Sequence, residues 1–220
     1  MTQPIVIAHH LIWTLYGWWL PNDPRGSCSR TVRFDALKDL GTLHYGRKRV
    51  QPASRDIRAF YAQASLMLKH PLLDLTSAAI KSCAAGFASA IRDQNYTCYA
   101  CAVLSDHVHL IIRKHKHTAE EMIEHLQSSS RSRLSADGHR TDDHPMWCRS
   151  GWKIFLDHPD EVRRTIKYIE DNPIPYHQPR QRWSFVTIYD NWPLHAGHSE
   201  NSPYVKRLKA AGRYPHDHHH

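Results

Sequence analysis

No stretch of this sequence stays apolar for long enough to cross a bilayer. The most apolar window, LIWTLYGWWL from Leu11 to Leu20, is shorter than the roughly 20 residues a spanning helix needs, and it runs into Pro21. No basic segment precedes it as a secretory signal would require, so a soluble, cytoplasmic protein with no membrane partner is expected. Disulfide chemistry is equally poorly provided for: five cysteines is an odd number, and their spacings give no framework. Cys98 and Cys101 form a CxxC, but no second pair follows to complete a zinc ribbon. Their segment, YTCYACAVL, reads as a strand, where a separation of three sends two side chains to opposite faces. The cysteines are expected to be small buried residues in a reducing compartment.

What the chain does have is charge, aromatic residues and histidine. Its 220 residues suit one domain carrying a large insertion, and the 41% apolar content is enough for a core. A formal net charge of +8 and a pI near 9.3 favour polyanionic partners, since each cation that meets a phosphate releases condensed counterions. Histidine reaches 19 residues, although the terminal HDHHH inflates that number and is set aside.

Alternation and capping signals place the elements. The β-branched and aromatic run from Pro4 to Tyr16 predicts a first strand. A turn-rich and then basic stretch from Leu20 to about Pro52 predicts a long irregular insertion, of the kind more often functional than idle in a compact domain. Helical spacing follows over Arg55 to Lys69 and Thr76 to Arg92. Tyr96 to Leu104 and His107 to Arg113 predict an antiparallel hairpin. Thr118 with Glu121 three residues on is a capping-box pattern for a helix reaching about Leu134. A fourth strand is expected within Met146 to Leu156, and a last helix from Asp157 to Asp171, capped by Asp157 or Asp160 and stopped by Pro173. This order predicts an α+β fold, the ferredoxin-like split βαβ, with an antiparallel sheet, helices on one face, an insertion at about 20–70 and a C-terminal tail. The expected organisation is a domain over 1–175 and an extension over 176–220.

Within SDHVHLIIRK, His107 and His109 must point to the same strand face. Either they bind something together, most plausibly a metal ion, or they belong to an ordinary exposed face. The apolar flanks favour a central strand, where imidazoles need partners, and two of them leave a metal site short of a third ligand. On the last helix, Val162, Ile166 and Ile169 form the apolar stripe, while Tyr168 and Asn172 stack one turn apart beside it. A tyrosine at such a boundary is, on helix geometry alone, most often a packing residue with its hydroxyl in water.

DHVHLIIR followed well downstream by YIEDNP resembles the HUH single-tyrosine transposases, including the REP-associated tyrosine transposases of bacteria. LIWTLYGWWLPNDPRG is similar to the opening strand and loop of some members, so the resemblance spans about Pro4 to Pro173. It implies that His107, His109 and Asn172 hold Mg²⁺ or Mn²⁺ and that Tyr168 is the nucleophile. It further implies a homodimer acting on hairpin-bearing single-stranded DNA through a 5′-phosphotyrosyl link. Asn172 stands where a two-tyrosine relative has its second tyrosine, which favours one nucleophile; Tyr176, beyond Pro173 and Pro175, is not counted.

Arg47, Lys48, Arg49, Arg113, Arg131, Arg133, Arg163 and Arg164 are the cations expected to follow a DNA backbone, with Trp18, Trp19 and Tyr45 available to stack on bases. Arg163 and Arg164 lie only about one turn before Tyr168 and are the best placed of them. Two rivals remain: a non-catalytic protein of the same fold that binds repeat hairpins, and a metal-dependent hydrolase that activates water.

Overall fold

The computed structural model describes residues 6–27, 40–140, 143–148, 151–193 and 203–212. Two strands in the middle of its sheet set the architecture. β1 (Ala8–Thr14) and β3 (His107–Arg113) are buried over most of their length on both faces, as central strands must be. With β2 (Cys98–Val103) and β4 (Trp152–Leu156) they form an antiparallel sheet in the order β2-β3-β1-β4. Between them run α1 (Ser54–Met67), α2 (Ser77–Asp93) and α3 (Ala119–Ala136); α4 (Pro159–Asp171) and the short α5 (Pro203–Ala210) follow. The expected split βαβ order and α+β class are what the chain adopts.

Each sheet face has its own core. Leu11, Trp13, Val108, Leu110 and Ile112 meet α2 and α3 on one side. Ala8 and Ile111 meet Val162 and Ile169 of α4 on the other, with Ile166 partly buried beside them. The two crossover helices thus share one face, and the appended helix covers the opposite one. α2 and α3 touch almost backbone to backbone at Gly86, where an added Cβ would lie 2.4 Å from Ser130 Cα. Ser129 Oγ donates to the Gly86 carbonyl at 2.7 Å across the same contact.

Local signals explain most boundaries. Thr118 and Glu121 form the reciprocal capping box at the start of α3, and Thr76 caps α2 by accepting from the Ala79 N–H. The cap of α4 differs from expectation: neither Asp157 nor Asp160 serves, and His158 Nδ1 accepts the Asp160 N–H at 3.2 Å. Pro159 then occupies the first turn, where its missing N–H costs nothing, and Asp160 and Glu161 complement the helix dipole.

A second difference concerns Cys98 and Cys101. An irregularity in the β2–β3 register between Cys98 and Ala100 adds a residue to β2, so both thiols face the α2 side with Cys83. All three are buried, and burial raises each thiol pKa, to about 12 for Cys98. They serve as apolar packing residues, as expected; Cys28, the start of the predicted first strand and the histidine-rich end lie outside the described residues.

The insertion is folded against the sheet end. Ser27 and Tyr45 form an isolated parallel bridge through Ser27 N–H to His44 O and Gly46 N–H to Ser27 O, and Lys48 N–H donates to Arg25 O, all at 2.8–2.9 Å. Gly26 is required there: its φ is +96°, and a Cβ would sit 1.9 Å from the Gly46 carbonyl oxygen. The C-terminal segment closes edge strand β2. The Gln181 amide donates to Val103 O at 2.7 Å and accepts from Val103 N at 2.8 Å, and Thr187 N–H donates to Cys98 O at 2.7 Å.

Candidate active site

The strand alternation that buries Ile111 under α4 sends His107 and His109 to the same face, at the end where α4 leaves the sheet open. Their rings lie 4.9 Å apart, edge to face. His10, on the neighbouring strand β1, joins them: its Nε2 is 3.0 Å from His109 Nδ1, with the rings stacked. Burial pushes His10 down to about 4 and holds His109 well below the ordinary range, so both imidazoles are neutral near pH 7. His109, with His107 and His10 also disfavouring its charge, therefore keeps one ring nitrogen as a lone-pair donor.

His107 is fixed from the other side. Its Nδ1 is 2.6 Å from Asp106 Oδ1, and both side chains are buried. Burial alone would raise the Asp106 carboxyl, but the hydrogen bond and charge of His107, with Arg25, outweigh it and hold the pKa low. An ionised carboxylate only accepts, so His107 Nδ1 carries the proton of this bond and Nε2 is the ring nitrogen left for another partner. This is the carboxylate–imidazole pairing that orients metal-binding histidines.

α4 brings the tyrosine. The Tyr168 ring lies 5.6 Å from His109, nearly perpendicular to it, and 6.3 Å from His10, while the side chain remains 48% exposed. That placement is reached within one chain. Asn172, the C-cap of α4 one turn on, lines the same cleft. The cleft measures about 980 Å³ and is also lined by Trp18, Trp19, Trp152, Arg25, Arg47 and Arg164.

Of the cations expected to follow DNA, Arg47 and Arg164 therefore line the cleft, and the other six do not. Arg163, the neighbour of Arg164, is turned away to Asp160 and to Asn191 Oδ1 at 2.7 Å. The Arg113 guanidinium stacks 4.1 Å over Trp192, and Arg133 pairs with Asp137 at 2.8 Å. Arg131 is exposed on α3, the helix of the opposite sheet face; Lys48 and Arg49 stay on the insertion rim. Four residues escaped the sequence. His10 announces itself only as a polar residue inside an apolar strand, and Asp106 only by standing before the histidines. Tyr176 lies beyond Pro173 and Pro175, yet the chain there forms a 3₁₀ turn over Ile174–Tyr176 that returns its ring to 6.3 Å from His107. Arg25 gives no signal beyond its turn-rich context.

The cleft invites comparison with known proteins. The solved structures that resemble the chain include two transposases. One is a REP-associated tyrosine transposase bound to a REP hairpin, 14% identical, covering 98% of this chain and 87% of that one with a TM-score of 0.42. The other is a candidate transposase from Deinococcus radiodurans R1, 15% identical, covering 78% of this chain and 94% of that one with a TM-score of 0.34. No family model and no curated protein matches the sequence.

Among the described residues no three His, Cys, Asp or Glu side chains converge as a ligand set. A cation here would therefore need a ligand of another type. Two imidazoles oriented by neighbours, with the Asn172 amide in the same cleft, suit a divalent ion that accepts nitrogen and oxygen donors together. No helix among the described residues is long and apolar enough to cross a membrane.

Proposed function

We propose that the chain is a metal-dependent enzyme that cleaves and rejoins single-stranded DNA, with Tyr168 as the attacking group. The observation that carries this reading is the convergence of a half-exposed tyrosine and two histidines positioned by buried neighbours on one cleft lined by tryptophan and arginine. His107, His109 and Asn172 are the residues that would hold Mg²⁺ or Mn²⁺. Bound there, such an ion would supply Lewis-acid stabilisation of the charge that develops on the scissile phosphate.

The remaining work falls to the chain itself. Asp106 holds the His107 ring and His10 the His109 ring in orientation before substrate arrives. The Tyr168 hydroxyl attacks phosphorus, forming a 5′-phosphotyrosyl bond while the bond to the 3′-oxygen breaks and a 3′-hydroxyl is released. The phenol proton leaves to water in the open cleft, water returns a proton to the departing 3′-oxygen, and the new ester retains the energy needed for rejoining. Arg47 and Arg164 neutralise neighbouring phosphates, and the tryptophan rings accept unpaired bases. A hairpin substrate and a dimer follow from the sequence resemblance; the tyrosine and the histidines meet without a second subunit.

The test is a denaturing gel of the protein with hairpin-bearing single strands and Mn²⁺. A protein–DNA adduct lost in Tyr168→Phe is expected. Equal nicking by wild type and Tyr168→Phe, with no adduct, would overturn the tyrosine mechanism and leave hydrolysis.

A further inference from the structure

Arg25 is oriented more completely than any other cation of the cleft. Its Nε donates to Asp23 Oδ1 at 2.9 Å and its Nη2 to Asp23 Oδ2 at 2.8 Å. Nη2 also reaches Tyr61 Oη at 3.0 Å, and the guanidinium lies 4.1 Å over the Trp19 ring. Behind it, Asp23 is fully buried and accepts the Tyr61 hydroxyl, while Tyr61 accepts the Trp19 N–H at 2.8 Å. Trp19 itself holds φ at +54°, a conformation bulky L-residues rarely adopt, so the support around it is built to keep it there.

This support spends Nε and Nη2 and leaves the Nη1 edge of the fork without a hydrogen-bond partner among the described residues. Arg25 lines the cleft with His107, His109 and Tyr168, and the Lys48 N–H bond to its carbonyl brings Arg47 to the same rim. A guanidinium with one edge tied to a carboxylate and the other unspent, on a side chain that lines an open cleft, is prepared for a phosphate oxygen.

We propose that Arg25 is a preset clamp for a backbone phosphate of single-stranded DNA beside the one held at the histidine pair, with Asp23 and Tyr61 as its positioning residues. The inference rests on reading the cleft as a DNA site. It also gives the insertion a task, because Tyr61 belongs to α1 and holds the clamp from there.

Removing Arg25 alone would strand the buried Asp23 carboxylate. The informative variant is therefore Asp23→Asn/Arg25→Gln, which removes the clamp, leaves no unpaired buried charge and keeps the net charge unchanged. Binding of a fluorescein-labelled single-stranded oligonucleotide is measured across a salt series in EDTA, where no metal-dependent cleavage occurs, with thermal melting as the check on folding. The double variant is expected to lose about tenfold in affinity, and its slope of log K against log salt to become shallower by about 0.7, the value of one single-strand phosphate contact. A merely structural ion pair would leave that slope alone. Tyr61→Phe keeps both charges and loosens the fork; it is expected to bind about threefold more weakly, and it carries the test if the double variant does not fold. A folded double variant, or failing that Tyr61→Phe, with wild-type affinity and slope would overturn the clamp. Wild-type protein that binds no single strand would instead overturn the DNA reading of the cleft.

Discussion

Asp106→Ala should weaken divalent-metal binding without touching a metal ligand. In the wild type the carboxylate receives His107 Nδ1–H at 2.6 Å in a buried setting, fixing both the ring orientation and the tautomer. A charge-assisted bond of that kind contributes about 1.5–3 kcal/mol, against about 0.5–1.5 for a neutral one. Alanine removes the acceptor, frees the ring to rotate and allows the proton to occupy Nε2, the nitrogen needed as a donor. Losses of about 10–100-fold in metal affinity are typical when such a supporting partner is removed. Asparagine can still accept through its amide oxygen, so Asp106→Asn should lose only the charge-assisted part, about 1–1.5 kcal/mol or roughly tenfold. The assay is Mn²⁺ titration followed by electron paramagnetic resonance or calorimetry, with His107→Ala as the reference for a lost ligand. Wild-type affinity in Asp106→Ala, beside a clear loss in His107→Ala, would refute the reasoning that Asp106 prepares the ligand. Absence of Mn²⁺ binding by the wild type would remove the metal from the proposal altogether.

Other expectations follow from the same structure. Peptide mapping of a DNA adduct should find the modification on Tyr168 and none on Tyr176; label on Tyr176 would show that the second phenol also attacks. Gly86→Ala forces a methyl to within 2.4 Å of Ser130 Cα and should destabilise the protein by about 1–3 kcal/mol, read from denaturant unfolding. A wild-type midpoint would mean that α2 and α3 separate freely. Burial, then the charge of Lys114, lowers the His9 pKa against an opposing effect of Glu120, so the folded protein holds His9 neutral. The unfolded chain therefore binds the extra proton. Stability is complete above about pH 6.5 and falls as the pH drops from there towards the lowered folded value. His9→Gln should flatten the decline between pH 6.5 and 5, and an unchanged slope would exclude His9 as a source. Brief alkylation of the native protein should spare Cys83, Cys98 and Cys101, whose thiols are buried and raised in pKa.

What the sequence disclosed, and what it withheld, divides along the range of the physics involved. Local chemistry was legible. The apolar run around His107 and His109 marked β3 as a central strand, and Thr118 with Glu121 marked the start of α3. Apolar spacing set Val162 and Ile169 facing the core and left Tyr168 and Asn172 at its margin. Features that depend on register across strands were not legible. His10 meets His109 only because β1 pairs with β3 so that His10 lies opposite Ile111 and Ile12 opposite His109. The Cys98 side chain turned the other way because the backbone of β2 takes up an extra residue, which the side-chain sequence does not announce. Arg25 and Tyr61 lie far apart along the chain, and only the folding of the insertion brings them together. Choosing Arg164 over Arg163 required knowing that Asp160 and Asn191 take one of them.

The pairing of Gln181 with β2 has a consequence for how the molecule behaves in company. A side-chain amide that gives and receives one hydrogen bond at Val103 imitates the backbone of a neighbouring strand. With Thr187 bound to Cys98 O, the tail occupies positions that another chain would otherwise find vacant. The C-terminal segment is thus a stopper against polymerisation. A chain cut after Pro173 would retain the tyrosine and the histidines, yet offer an unsatisfied strand to its own kind.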